Sequence, residues 1–152
     1  MKATGWFTEL VFKTGDDWKI IFIRLVIGLI FISEGIQKFL YIEALGPGFF
    51  RELGFSNHLF WANFTGVSEI LFGALILLGL LTRLSSIPLL IILATAFFTT
   101  KLPVLLTKGI WTFFHQNNTD FALAMLLIVL IIYGGGKWSV DSYIWERPSV
   151  VL

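Results

Sequence analysis

The chain of 152 residues contains no cysteine. Disulfide exchange, thiolate catalysis, iron–sulfur ligation and thiolate metal sites are therefore excluded from its chemistry, although this absence says nothing about its compartment. Histidine is almost as scarce. His58 and His115 both fall between the long apolar runs. No histidine pair within a span is available to hold a membrane haem, and two such ligands alone do not make a zinc site. Charge is the third shortage. Only 14% of residues are charged, against about 25% in an ordinary soluble domain. The formal net charge of +1 supplies no basic surface for nucleic acid. A glycine-rich nucleotide loop is missing too: Gly134-Gly135-Gly136 comes after an apolar run and opens no helix, so it reads as a helix stop.

Apolar surface is what the chain has in quantity, with 57% hydrophobic residues and a mean hydropathy of +0.85. A bilayer-spanning helix needs roughly 20 apolar residues. Runs at about 20–40, 62–81, 84–102 and 120–136 meet that need. The predicted fold is an all-α membrane protein, a four-transmembrane-helix bundle forming one domain over residues 1–152. The first run is too long for a signal-peptide core and no small-x-small site comes after it, so the N-terminus is expected to be retained. Ahead of it, Trp6, Phe7, Leu10 and Val11 recur at helical spacing, which suits a segment lying on the membrane surface. Gly46-Pro47-Gly48 break the chain after the first span. Phe49, Phe50 and Leu53 form a short amphipathic turn that Gly54 ends. Residues 103–119 read as a second loop with interfacial aromatics.

Four spans put both termini on one side. Lys2, Lys13, Lys19, Arg24, Arg83, Lys137 and Arg147 belong to that side, and Lys38, Arg51, Lys101 and Lys108 to the other. The excess of basic residues predicts cytoplasmic termini, with the chain a multi-pass protein of the cell (inner or plasma) membrane.

Several charges lie inside the spans, where each costs roughly 2.5–3.5 kcal/mol on insertion scales unless it finds a partner or water. On the first helix Arg24, Gly28, Phe31, Gly35 and Lys38 share one face. The 14-residue interval from Arg24 to Lys38 recurs from Glu69 to Arg83 on the second span, and it rises roughly 21 Å. Antiparallel spans then sort the charges into two layers. The outer holds Glu34, Lys38, Glu69 and Asp120, with His115 and Gln116 near in sequence. The inner holds Arg24, Arg83 and Asp141, with Lys137 near. Gly66 and Gly73 permit close helix approach, within the bundle or between protomers of a homo-oligomer.

The run from Arg24 to Lys38, Glu69 in the second span, Thr82-Arg83 closing it, an acid opening the last span and Ser139-Val140-Asp141 after the glycines resemble the DoxX family. The resemblance extends over roughly residues 20–141. Two positions depart from it: Glu34 stands where members often carry histidine, and Asp120 where glutamate is common. The resemblance implies a small four-helix membrane protein. Some relatives look like membrane subunits of quinone-linked oxidoreductases, and others are similar to anchors that assemble soluble redox enzymes. It therefore implies redox metabolism at the membrane, quinone as a non-covalent ligand, and a soluble redox enzyme as partner.

The residues themselves admit several readings. Arg24, Glu34, Lys38, Glu69, Arg83, Asp120 and Asp141 form a ligand-binding or intramembrane charge network, in which carboxylates beside a cation hydrogen-bond a quinone or lipid-like molecule and exchange its protons. Equally, Lys38 and Glu69 neutralise each other, Asp141 holds Arg24 and Arg83, and the pairs only set helix register. With three outer acids to one lysine, one acid is left over to be protonated or to meet a ligand. A small-solute transporter or channel would use the two layers as filters. A membrane scaffold recruiting soluble enzymes would use the tail aromatics Trp138, Tyr143 and Trp145.

Overall fold

The computed structural model describes residues 11–146, so the surface segment expected around Trp6, Phe7 and Leu10 lies outside the described residues. Among these the chain is helical and has no strand. Helix α1 spans Ile20–Leu40, α2 Pro47–Glu52, α3 His58–Leu78 and α4 Thr82–Ala96. A five-residue π-helical turn, Phe97–Lys101, runs from α4 into α5, Leu102–Lys108. Helix α6 spans Ile110–Tyr133, and α7 Val140–Glu146. Four helical stretches are long and apolar enough to cross a membrane: α1, α3, the continuous Thr82–Lys108 rod, and α6. At 1.5 Å per residue the 21 residues of α1 reach roughly 30 Å, the thickness of the hydrocarbon core.

Several boundaries differ from the sequence reading: the spans expected at 62–81, 84–102 and 120–136 are found at His58–Leu78, Thr82–Lys108 and Ile110–Tyr133. The second span begins at His58, four residues before the expected 62. The larger difference is at 103–119, which is not a loop. It is helix on both sides of Gly109, whose φ of +81° makes the turn from α5 into α6, a backbone state glycine enters without a Cβ penalty. Polar residues suggest a loop there. Thr107 instead returns its hydroxyl to the carbonyl of Pro103, one turn back, and so keeps its polarity within the helix.

Helices α1 and α3 form the most extensive pair. Glycines set their approach. A Cβ on Gly35 would fall 2.6 Å from the carbonyl oxygen of Gly66, and one on Gly28 would fall 2.9 Å from that of Gly73. The Gly66/Gly73 face is thus used up inside the chain, where van der Waals contact between backbones replaces the hydrophobic drive that lipid removes. The apolar core gathers Ile20, Ile27, Phe31, Ile76, Leu89, Leu123, Leu127 and Leu130. These lie toward the end of the bundle that carries the termini. On α4 nothing beyond Leu89 is buried, the π turn and α5 bury nothing, and on α6 the first buried residue is Asn117. The α4–α6 side of the bundle is therefore tight at the terminal end and open at the loop end, while α1 and α3 stay in contact through Gly35 and Gly66.

Candidate functional site

At the terminal end the charges are consumed by architecture. Arg24 is 3% exposed. Its Nε donates to the carbonyl of Ile76 (2.9 Å), Nη2 to Leu77 (2.7 Å), and Nη1 to Gly135 (3.1 Å) and Trp138 (2.7 Å). Two of these carbonyls belong to the last turn of α3, where the helix leaves its carbonyls without intrahelical donors. Asp141, 1% exposed, does not hold either arginine through an ion pair, contrary to the expectation. Its carboxylate accepts from the backbone N–H of Leu81 (2.7 Å), and from the N–H and hydroxyl of Thr82 (both 2.8 Å). It caps α4 from a distant part of the chain, where negative charge suits the helix dipole. The cap also holds Leu81 at φ +51°, a left-handed state that leucine rarely adopts. Just before it, Gly79 (φ +72°) closes α3, with Leu80 N–H donating to Leu75 at 2.9 Å and Gly79 N–H to Ile76 at 3.0 Å. Arg83 lies apart from this knot. Its Nη2 donates to the carbonyl of Ile132 at 2.9 Å. Lys137 pairs with Asp16 at 3.5 Å on an exposed edge.

The outer layer divides into two pairs and one remainder. Lys38 Nζ meets Glu69 Oε2 at 2.6 Å, joining α1 to α3 with both side chains largely buried. Asp120 does not join them. It pairs with Lys101 at 3.1 Å, joining the π turn to α6. Lys101 belongs to the loop-side charges in the sequence but not to the candidate site residues read there. Glu34 is exposed and makes no ion pair or hydrogen bond among the described residues. It stands seven residues beyond Ile27, as Ile27 does beyond Ile20, so the heptad line of core residues on α1 ends in an exposed carboxylate. His115 and Gln116 point outward.

The opening between α4 and α6 contains a pocket of about 240 Å³. Phenylalanines dominate its wall, with Phe97, Phe98, Phe113, Phe114 and Phe121 beside Leu90, Leu93, Ala94 and Ala124. Its polar groups are Lys101, Asp120 and Asn117. The π turn is responsible for this arrangement. The N–H of Leu102 bonds to the carbonyl of Phe97, five residues back. The added residue rotates the downstream helix by roughly 100° relative to a continuous α-helix, and so aims Lys101 at Asp120. Such insertions recur at functional sites. Sequence reasoning misses Asn117 because its segment reads as a loop. As a helix, Phe113, Asn117, Asp120 and Ala124 form one stripe at intervals of four, three and four, which is the signal that would have found it.

Residues 20–102 match the DoxX family. The chain belongs to the DoxX family. It is also similar to the uncharacterized membrane protein Rv3486 of Mycobacterium tuberculosis, with 44% identity over 136 residues, 86% of this chain and 83% of that protein. No solved structure matches it. The DoxX match takes in Arg24 with its acceptors Ile76 and Leu77, the Lys38–Glu69 pair, the donor residues Leu81 and Thr82 of the α4 cap, and the π turn, and it ends before α6. This DoxX protein therefore has one pocket wall inside the family match, and the other, with Asn117 and Asp120, beyond it.

Proposed function

We propose that this DoxX protein is a ligand-binding membrane component of redox metabolism, and that it takes a quinone-like or other lipid-like molecule in the pocket between α4 and α6. The observation that carries the reading is the pocket itself: an aromatic wall with one lysine–carboxylate pair and one buried amide at its edge. Ligand sites have this form, mostly apolar with a few convergent polar groups. The redox link is supported by the likeness of DoxX relatives to membrane subunits of quinone-linked oxidoreductases. The chain offers no thiol and no His/Cys/Asp/Glu cluster suited to a metal among the described residues, so electrons would be carried by the ligand or by a soluble partner enzyme. The cell membrane, with both termini cytoplasmic, is the setting this role needs.

Mass spectrometry of organic extracts from the detergent-purified protein tests the proposal. An isoprenoid quinone or other lipid should be enriched in the native protein, kept by the double variant Lys38→Met/Glu69→Leu and lost from Phe113→Ala. Loss from the double variant alone would move the site to the α1–α3 pair. Enrichment of no molecule over empty micelles would sink the ligand reading and turn attention to a scaffold that recruits enzymes.

A further inference from the structure

The pocket between α4 and α6 restricts what its ligand can be, given that it is a ligand site. Size is the first restriction. An apolar cavity of roughly 150 Å³ accommodates benzene, so about 240 Å³ has room for a substituted aromatic ring. Wall chemistry is the second. Phe97 and Phe113 face each other edge-on across the two helices, with ring centroids 5.9 Å apart and planes at 89°. Phenylalanine edges and faces favour an aromatic guest that can stack or sit edge-to-face. Charge is the third. Lys101 is already matched by Asp120 at 3.1 Å, so an anionic head would have to displace a carboxylate to reach the only cation that lines the pocket among the described residues.

Asn117 supplies the decisive restriction. It is 6% exposed. Its amide nitrogen donates to the carbonyl of Phe113 at 2.7 Å, which leaves Oδ1 as the free end of the amide. That oxygen is buried and has no hydrogen-bond partner among the described residues. A buried carbonyl oxygen without a donor is costly, and here it belongs to a residue lining an aromatic pocket. It calls for a ligand that donates.

We propose that the pocket binds a neutral aromatic head with a free hydroxyl, of the phenol or hydroquinone class, and that Asn117 selects it by accepting the hydroxyl proton at Oδ1. The oxidised quinone ring has acceptors only and lacks that bond. Asn117 is thus a specificity residue that favours the reduced form.

Equilibrium dialysis of para-propylphenol and para-propylanisole against the full-length protein in detergent tests this, with empty micelles as reference. The two probes share ring and chain and differ in the donor. The native protein should bind the phenol roughly tenfold tighter, the scale of one buried hydrogen bond. The preference should vanish in Asn117→Leu while anisole binding persists. Equal binding of both probes by the native protein would overturn hydroxyl selection and leave the pocket as an apolar site. Saturable binding of neither would overturn the pocket reading as well. A preference that survives in Asn117→Leu would remove Asn117 from the role. The native comparison needs no variant, so a misfolded Asn117→Leu does not block the test.

Discussion

Arg24 sits in an apolar helix because a planar guanidinium presents five N–H donors, and four backbone carbonyls converge on it. Lysine cannot copy that fork, since its donors leave one point on a flexible stem. Arg24→Lys should cost roughly 1–3 kcal/mol for each carbonyl left without a donor, read as a lower unfolding midpoint in detergent. An unchanged midpoint would mean the carbonyls find other donors. The Lys38–Glu69 pair has a different signature. Removing one partner from a buried pair costs about 3–5 kcal/mol, whereas replacing both with apolar groups is often near neutral. Lys38→Met and Glu69→Leu should each destabilise, and the double variant should recover much of the loss. Additive losses would show that the two charges act separately.

Among the elements, α1 and α3 depend on what is missing from their surfaces. Gly35→Leu would drive a side chain into the backbone of Gly66 and into Ile70. Overpacking of this kind costs typically 1–3 kcal/mol. The variant should lose resistance to denaturing detergent, while the same change at Gly54, which has open space around it, should matter only through its φ of +82°. Equal effects at the two glycines would contradict the close approach. The π turn makes a separable prediction. Deleting Thr99 should restore a regular helix and turn Lys101 away from Asp120 by roughly 100°. Ligand retention should fall while helical content and the α1–α3 pair stay intact. Loss of the whole fold would show that the π turn is structural. Glycine spacing on α1 and α3 is legible in the sequence because packing faces keep to the helical period. A π turn has no such period and cannot be read there.

For the whole molecule, the terminal end carries the buried core, and under the proposed function the open α4–α6 edge at the loop end is where a ligand would exchange. Orientation decides which side of the membrane each faces. The cysteine-free sequence allows single introduced thiols to report it without background. Ser56 and Asp16 are exposed at opposite ends of the bundle. With cytoplasmic termini, a membrane-impermeant maleimide added to intact cells should label Ser56→Cys and spare Asp16→Cys. The reverse pattern would invert the topology proposed from the lysine and arginine distribution.

The sequence by itself determined the membrane class, the four helices, the helix-stopping glycines and the DoxX resemblance, because hydropathy, span length and glycine periodicity are properties of contiguous residues. It also identified Arg24, Lys38, Glu69, Asp120 and Asp141 as groups needing partners, since charge inside an apolar run is costly wherever it lies. Only the tertiary structure decided which partners they take. Arg24 found carbonyls more than fifty residues away, Asp141 found the N-terminus of α4, and Asp120 found Lys101. Such choices depend on helix phase, on the added residue of the π turn and on where Gly109 reverses the chain. They arise from geometry across the bundle, which no local pattern encodes.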